Sequence, residues 1–215
     1  MRTKLLMLAT MLVATPLAAQ APSSALPAGW QTRLDQPAQT AQAGTTARMV
    51  PTETGLHISA GPSATFFEPA RVAKGSYRAR ATFSQTRASR HPEGYGLLVG
   101  GKDLAGEAQS YVYFLVRQDG KYLVKRRSGA ETETLIDWTA HDAIVKPDAE
   151  GRATNALAVE SGSFGMRFFV NGTQVGAVPA GASLPTEGVV GLRVNHDLDV
   201  HIADFGVDAE QRAGA

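Results

Sequence analysis

Ser110-Tyr111-Val112-Tyr113-Phe114-Leu115-Val116-Arg117-Gln118-Asp119-Gly120-Lys121-Tyr122-Leu123-Val124-Lys125-Arg126-Arg127 is the stretch whose reading decides the fold. Runs rich in β-branched and aromatic residues flank Asp119-Gly120, a dipeptide that accepts the positive φ of a type I′ turn, so an antiparallel hairpin is predicted. A two-residue loop pairs Gln118 with Lys121, Arg117 with Tyr122, Leu115 with Val124 and Tyr113 with Arg126. That register sends Tyr111, Tyr113, Arg117, Tyr122 and Arg126 to one face. Val112, Phe114, Val116 and Leu123 take the other, with Lys125 and Arg127 towards its end. The second set makes the better core face, which predicts an aromatic and basic outer surface from the first.

Outward from this hairpin the same grammar recurs: short apolar stretches bounded by Gly, Pro, Asn or Asp. Candidate strands are Gly55 to Ala60, Thr65 to Glu68, Ser76 to Gln85, Tyr95 to Gly100, Ser110 to Gln118 and Lys121 to Arg127. Beyond them come Thr132 to Asp137, Thr154 to Glu160, Met166 to Val170, Val189 to Asn195 and Leu198 to Val207. Asn171-Gly172 signals a second hairpin, joining Phe168 to Val170 with Thr173 to Val175. No stretch sustains helical periodicity and no internal repeat is seen. The fold class expected is all-β, a two-sheet antiparallel jelly-roll β-sandwich of the concanavalin-like lectin and glucanase type. The sandwich domain is placed at residues 47–208, with a flexible tail at 209–215. Residues 20–46, rich in Ala, Gln, Pro and Thr, read as a loose lead-in with Trp30 and Leu34 as its core anchors.

Arg2 and Lys4 precede an apolar run from Leu5 to Val13, and Pro16 leads into Leu17-Ala18-Ala19, the order of a secretory signal peptide. The run is shorter than the ~20 residues that cross a bilayer, so residues 1–19 are expected to be cleaved and the protein to be periplasmic or secreted, with no membrane attachment afterwards. Loss of Arg2 and Lys4 takes the formal charge from +1 to −1. The chain has 215 residues, 43% of them hydrophobic, enough for one sizeable core. Its 21 Lys and Arg stand against 20 Asp and Glu, which removes the dense positive charge that nucleic-acid binding needs. The absence of Cys excludes disulfides, thiol nucleophiles and thiolate metal sites.

Gly96-Leu97-Leu98-Val99-Gly100-Gly101-Lys102-Asp103 nearly matches a phosphate-binding loop, but Asp103 stands where a Ser or Thr must ligate magnesium, and its apolar middle reads as a strand. No Gly-x-Ser-x-Gly elbow, His-Glu-x-x-His or calcium loop is present, so a divalent cation such as calcium has no motif behind it and no cofactor is expected. Asn171-Gly172-Thr173 fits a glycosylation sequon, yet the turn already explains its Asn-Gly. The densest polar cluster is Asn195-His196-Asp197-Leu198-Asp199-Val200-His201. Alternation sends Leu198, Val200 and Ile202 one way and Asp197, Asp199 and His201 the other. Carboxylates two residues apart lie ~6.6 Å along a strand, close to the spacing of an inverting glycosidase pair and equally that of a solvated strand face. Trp138 offers a ring for stacking on a sugar, or for the core.

Tyr95-Gly96-Leu97-Leu98-Val99-Gly100-Gly101, Asp103-Leu104, Tyr111 to Arg117 and Asp119-Gly120-Lys121 together resemble exported bacterial proteins with a concanavalin-like jelly-roll sandwich. The ending Gly188-Val189-Val190-Gly191-Leu192-Arg193-Val194-Asn195-His196, with the strand that closes in Asp204-Phe205-Gly206-Val207, is similar to the close of the three-keto-disaccharide hydrolase domain. The resemblance implies a role for His196 at the matching turn, although Asp197 stands where that pattern often has Gly. Three readings follow. In the first the chain is a glycan- or oligosaccharide-binding module using Tyr111, Tyr113, Tyr122, Arg126 and Trp138. In the second it is a hydrolase or lyase on oxidised (keto) sugars or polysaccharide, with His196 as acid or base assisted by Asp197 or Asp199. In the third it is a structural envelope protein with no sugar ligand.

Overall fold

The computed structural model describes residues 26–35, 47–181 and 184–209. The expected signal peptide, the rest of the lead-in and nearly all of the tail lie outside them. The described residues form fourteen strands and no helix. In chain order these are β1 (Gln31–Leu34), β2 (Ala47–Thr52), β3 (Gly55–Ala60), β4 (Ala64–Ala73), β5 (Tyr77–Gln85), β6 (Gly94–Lys102) and β7 (Ser110–Arg117). They continue as β8 (Lys121–Ser128), β9 (Glu131–Ala140), β10 (Ala153–Gly162), β11 (Gly165–Val170), β12 (Thr173–Pro179), β13 (Gly188–Val194) and β14 (Leu198–Ala209). Every pairing is antiparallel. One sheet runs β1-β4-β13-β6-β7-β8-β9 and the other β12-β11-β10-β5-β14-β3-β2. This is the expected two-sheet sandwich.

The principal core lies between the sheets because inward positions alternate: Tyr77, Ala79, Ala81 and Phe83 on β5 face Tyr95, Leu97 and Val99 on β6. β6 is buried on both sides until Lys102. Its outward Leu98 belongs to a second apolar cluster with Phe67, Leu104, Tyr111, Tyr113, Leu115 and Leu123 on the outer face of the first sheet. The stretch that nearly matches a phosphate-binding loop is strand interior, as its apolar middle predicts. Within the stretch read as a lead-in, Gln31–Leu34 adds an edge strand to β4.

The Asn171-Gly172 hairpin forms as expected: Val170 pairs with Thr173, and the two turn residues sit at φ 50° and 82°. The Asp119-Gly120 hairpin forms one residue out of the expected register. Lys121 pairs with Arg117, so Gln118-Asp119-Gly120 is a three-residue turn closed by Gly120 N–H on the Arg117 carbonyl at 3.0 Å, with Gly120 at φ 81°. Gln118 is held out of the ladder, its amide bonded to Gln85 and to the Ser89 carbonyl. A one-residue slip moves a whole strand to the opposite face. Tyr122 and Arg126 therefore leave the face of Tyr111 and Tyr113, and Leu123 joins it.

That slip corrects the expected aromatic surface. Tyr122 lies in the core between the sheets, its hydroxyl donating to the Val175 carbonyl at 2.6 Å, while Arg126 pairs with Glu133 at 2.6 Å. Tyr111 and Tyr113 do point outward, but they are only 0% and 6% exposed. Leu104 from the β6–β7 loop packs in their cluster and the Arg193 guanidinium lies 4.8 Å from the Tyr113 ring. These rings are core, with no open faces for stacking.

Candidate functional site at the loop end of the sandwich

Three connections cross between the sheets at one end of the molecule: 61–63 between β3 and β4, 86–93 between β5 and β6, and 195–197 between β13 and β14. Asp35, just after β1, joins them by donating its N–H to the Ser63 carbonyl at 3.0 Å. The 61–63 and 195–197 connections and Asp35 bound a cavity of about 230 Å³ lined by Asp35, Pro62, Ser63 and His196. Such loop clusters are where a rigid sandwich presents its most variable chemistry.

Each ionisable group at this cavity is held from behind. β13 carries one cation in an otherwise apolar strand, and alternation turns Arg193 to the outer face of the sheet. There both of its terminal nitrogens bond to Asp35, one of them at 3.0 Å, and the same 3.0 Å nitrogen also donates to the Tyr111 hydroxyl at 3.2 Å. Burial works against the charge on Arg193, but the Asp35 carboxylate outweighs it and keeps the guanidinium protonated. Tyr111 and Tyr113 are pushed above the usual phenol range by burial, so they stay neutral beside it. The tyrosines therefore support the site from beneath.

His196 sits half-exposed in the turn after β13, its N–H donated to Ser63 Oγ at 3.1 Å and its Nε2 3.0 Å from Glu93 Oε1. The Glu93 side chain is 13% exposed. Burial pushes the Glu93 carboxyl up, and the His196 ring pulls it part of the way back. The resulting pair can hold or pass a proton at the cavity wall.

Neither aspartate expected beside His196 partners it. Asp197, at φ 55°, turns its carboxylate to the Arg90 N–H at 2.9 Å and the Arg87 guanidinium at 3.2 Å, and these hold it below the ordinary carboxylate range. Asp199 starts the outer face of the second sheet and bonds Ser59, Thr86 and His57. Burial pushes Asp199 up, but the hydrogen bonds from Thr86 and Ser59 prevail and hold it low. His201 shares that face and contacts Thr54 Oγ1 at 3.1 Å. Asp197, Asp199 and His201 do not converge, and among the described residues no three His, Asp or Glu side chains are arranged to hold a metal.

Trp138 is half-buried on β9 and reaches across the outer face of the first sheet to β6. It can do so because Gly94 has no side chain: a Cβ there would stand 3.2 Å from the tip of the indole. The Arg117 guanidinium stacks at 4.1 Å from the ring centroid and is fixed by Asp119 at 2.7 Å. Gly94 in turn accepts the Asn195 N–H at 2.9 Å, so the indole tip lies one strand away from the His196 turn.

Glu93, Asp35, Arg193 and Ser63 were not singled out in the sequence. A lone Arg inside an apolar strand is the one local signal that was there to find. Asp35 and Glu93 sit in loops, and only the chain crossings bring them to His196.

No family model matches this chain, and no curated protein matches it. Solved structures do. A carbohydrate binding module, CBM66 from Bacillus subtilis, superposes with a TM-score of 0.60 at 11% identity, covering 84% of this chain and 96% of that one. A Bacillus subtilis protein of unknown function with a galectin-like fold gives 0.60 at 12% identity over 83% and 88%. The cellulose induced protein Cip1 gives 0.51 at 13% identity over 86% and 94%. These similarities show the fold, a galectin-like jelly-roll sandwich.

Proposed function

We propose that this chain is an exported carbohydrate-binding β-sandwich that seats one sugar ring in the Asp35–His196 cavity. The observation that carries this is pre-organisation: Asp35 and His196 face the cavity while Arg193 and Glu93 fix them from behind. Fixed donors and acceptors suit hydroxyl recognition because no side chain has to be ordered when the sugar arrives. At about 230 Å³ the cavity is smaller than the roughly 300 to 1,000 Å³ of pockets for drug-sized ligands, which suits a single ring. The Trp138–Arg117 stack, one strand further along, takes the next ring of an oligosaccharide by its apolar face. The binding fold of the CBM66 module supports this reading.

A glycan-array screen of the chain without residues 1–19, followed by calorimetry on the hits, tests it. His196→Ala lowers affinity about tenfold for every ligand seated in this cavity, while Trp138→Ala weakens oligosaccharides and spares monosaccharides. A chain that binds no glycan overturns the proposal in favour of a structural envelope role. N-terminal sequencing of the periplasmic or secreted form, beginning at Gln20, tests the export step.

One observation favours a second reading, a hydrolase or lyase acting on oxidised sugars: the Glu93 carboxyl, raised by burial, lies against His196. In that case Glu93 or His196 supplies the proton to the leaving oxygen. Glu93, not Asp197 or Asp199, is the partner this reading needs. Product analysis of array hits separates the two, since Glu93→Gln abolishes turnover with ground-state binding kept if the chain is an enzyme.

A further inference from the structure

The outer face of the second sheet holds another cavity, about 250 Å³, with a lining separate from that of the Asp35–His196 cavity. Its floor is low because β10 places Ala156 and Ala158 at successive outward positions, opposite Thr82 and Arg80 of β5. One wall is Phe169, paired to Ala158. Phe169 belongs to neither apolar cluster, so packing does not explain an aromatic ring at this outward position.

The remaining walls are charged and incompletely used. The Arg78 guanidinium lies 5.0 Å from the Phe169 centroid and bonds Glu160 through one terminal nitrogen; Arg80 bonds Asp208 likewise. Among the described residues the second terminal nitrogen of each arginine makes no hydrogen bond. On the opposite side Asp204 sits at φ 54° in the bulge where β14 slips against β5, and Thr82 donates to it at 3.3 Å. The bulge re-aims the Asp204 side chain, and Asp204 lines the groove. Arg80 and Thr82 are two residues apart, about 6.6 Å along the strand, which one sugar ring can bridge.

We infer that this groove is a second saccharide site selective for a uronate ring. The carboxylate takes the free guanidinium edges of Arg80 and Arg78, the apolar ring face lies on Phe169, and ring hydroxyls donate to Asp204. Neutral sugars lose the first contact and simple carboxylates lose the other two. The site stands independently of the Asp35–His196 cavity, on the other sheet.

The test is a titration of the ¹⁵N-labelled chain with methyl glucuronide, methyl glucoside and acetate, following amides of β5, β10 and β11. Methyl glucuronide is expected to shift them saturably, at least tenfold more tightly than either control. Arg80→Gln and Phe169→Ala each weaken it about tenfold, and His196→Ala leaves it unchanged. Arg78→Gln serves as the second arginine variant if Arg80→Gln unfolds, foldedness being checked by the thermal midpoint. Equal affinity for acetate reduces the groove to an anion patch and overturns the inference, as does no binding or an unchanged affinity in the arginine and Phe169 variants.

Discussion

Arg193 is 6% exposed, and a cation that far from water is tolerable only because Asp35 and Tyr111 bond it. Asp35→Ala removes the counter-charge and leaves the guanidinium buried. With the Asp35 side chain 26% exposed, water replaces part of the interaction, so a loss of about 2 kcal/mol is expected in urea denaturation, below the 3 to 5 of fully buried pairs. The carboxylates at the loop end titrate with opposite signs. Asp197 is held low by the Arg90 N–H and Arg87, so its contribution is present above the ordinary Asp value of about 4 and is lost as pH falls through its lower folded value. Asp197→Asn should lower the urea midpoint at pH 7 and converge with the wild type in acid. Glu93 is raised, so the folded state binds its proton more tightly; that stabilisation is present below about pH 4.3 and is lost as pH rises through the folded value. Urea midpoints of Glu93→Gln, compared with wild type from pH 4 to pH 7, should show the wild type losing ground as pH rises.

Among the elements, the two Gly-containing turns separate backbone strain from crowding. Gly172 sits at φ 82° with nothing near a would-be Cβ, so Gly172→Ala isolates the left-handed penalty, about 1 kcal/mol. Gly120, at φ 81°, has the Lys146 side chain 2.5 Å from that position, a flexible chain that can move aside. Gly120→Val should cost about 1 kcal/mol or more, because a β-branched residue resists positive φ. Chemical denaturation of the pair checks both, and a neutral Gly120→Val would contradict the observed turn. The hairpin itself was legible from Asp119-Gly120, but its register was not. An Asp-Gly signal serves two- and three-residue loops alike, and the choice was made by Gln118 bonding to the 85–89 segment, which is remote in sequence.

At the scale of the whole molecule, the described residues form apolar clusters on both faces of the first sheet and on the inner face of the second. Tyr113→Ala opens the outer cluster and removes the ring under Arg193, so a loss of about 3 kcal/mol and a clear drop in thermal midpoint are expected, well beyond a surface substitution. Circular dichroism of the chain without residues 1–19 should show a dominant β signal with little helix, in keeping with the fourteen strands of the described residues. The sequence by itself determined the class of fold, most strand positions and the His196 turn, because alternation and turn residues are local properties of a chain. Which face of β7 and β8 is covered, and which acids reach His196, were decided by the tertiary structure alone. Period-two patterning tells two faces apart but says nothing of what lies over each, and here Leu104 and Arg193 close the tyrosine face. Asp35, Glu93 and His196 lie on three segments that meet only where the chain crosses from sheet to sheet. A site built from such crossings has no local spacing to read.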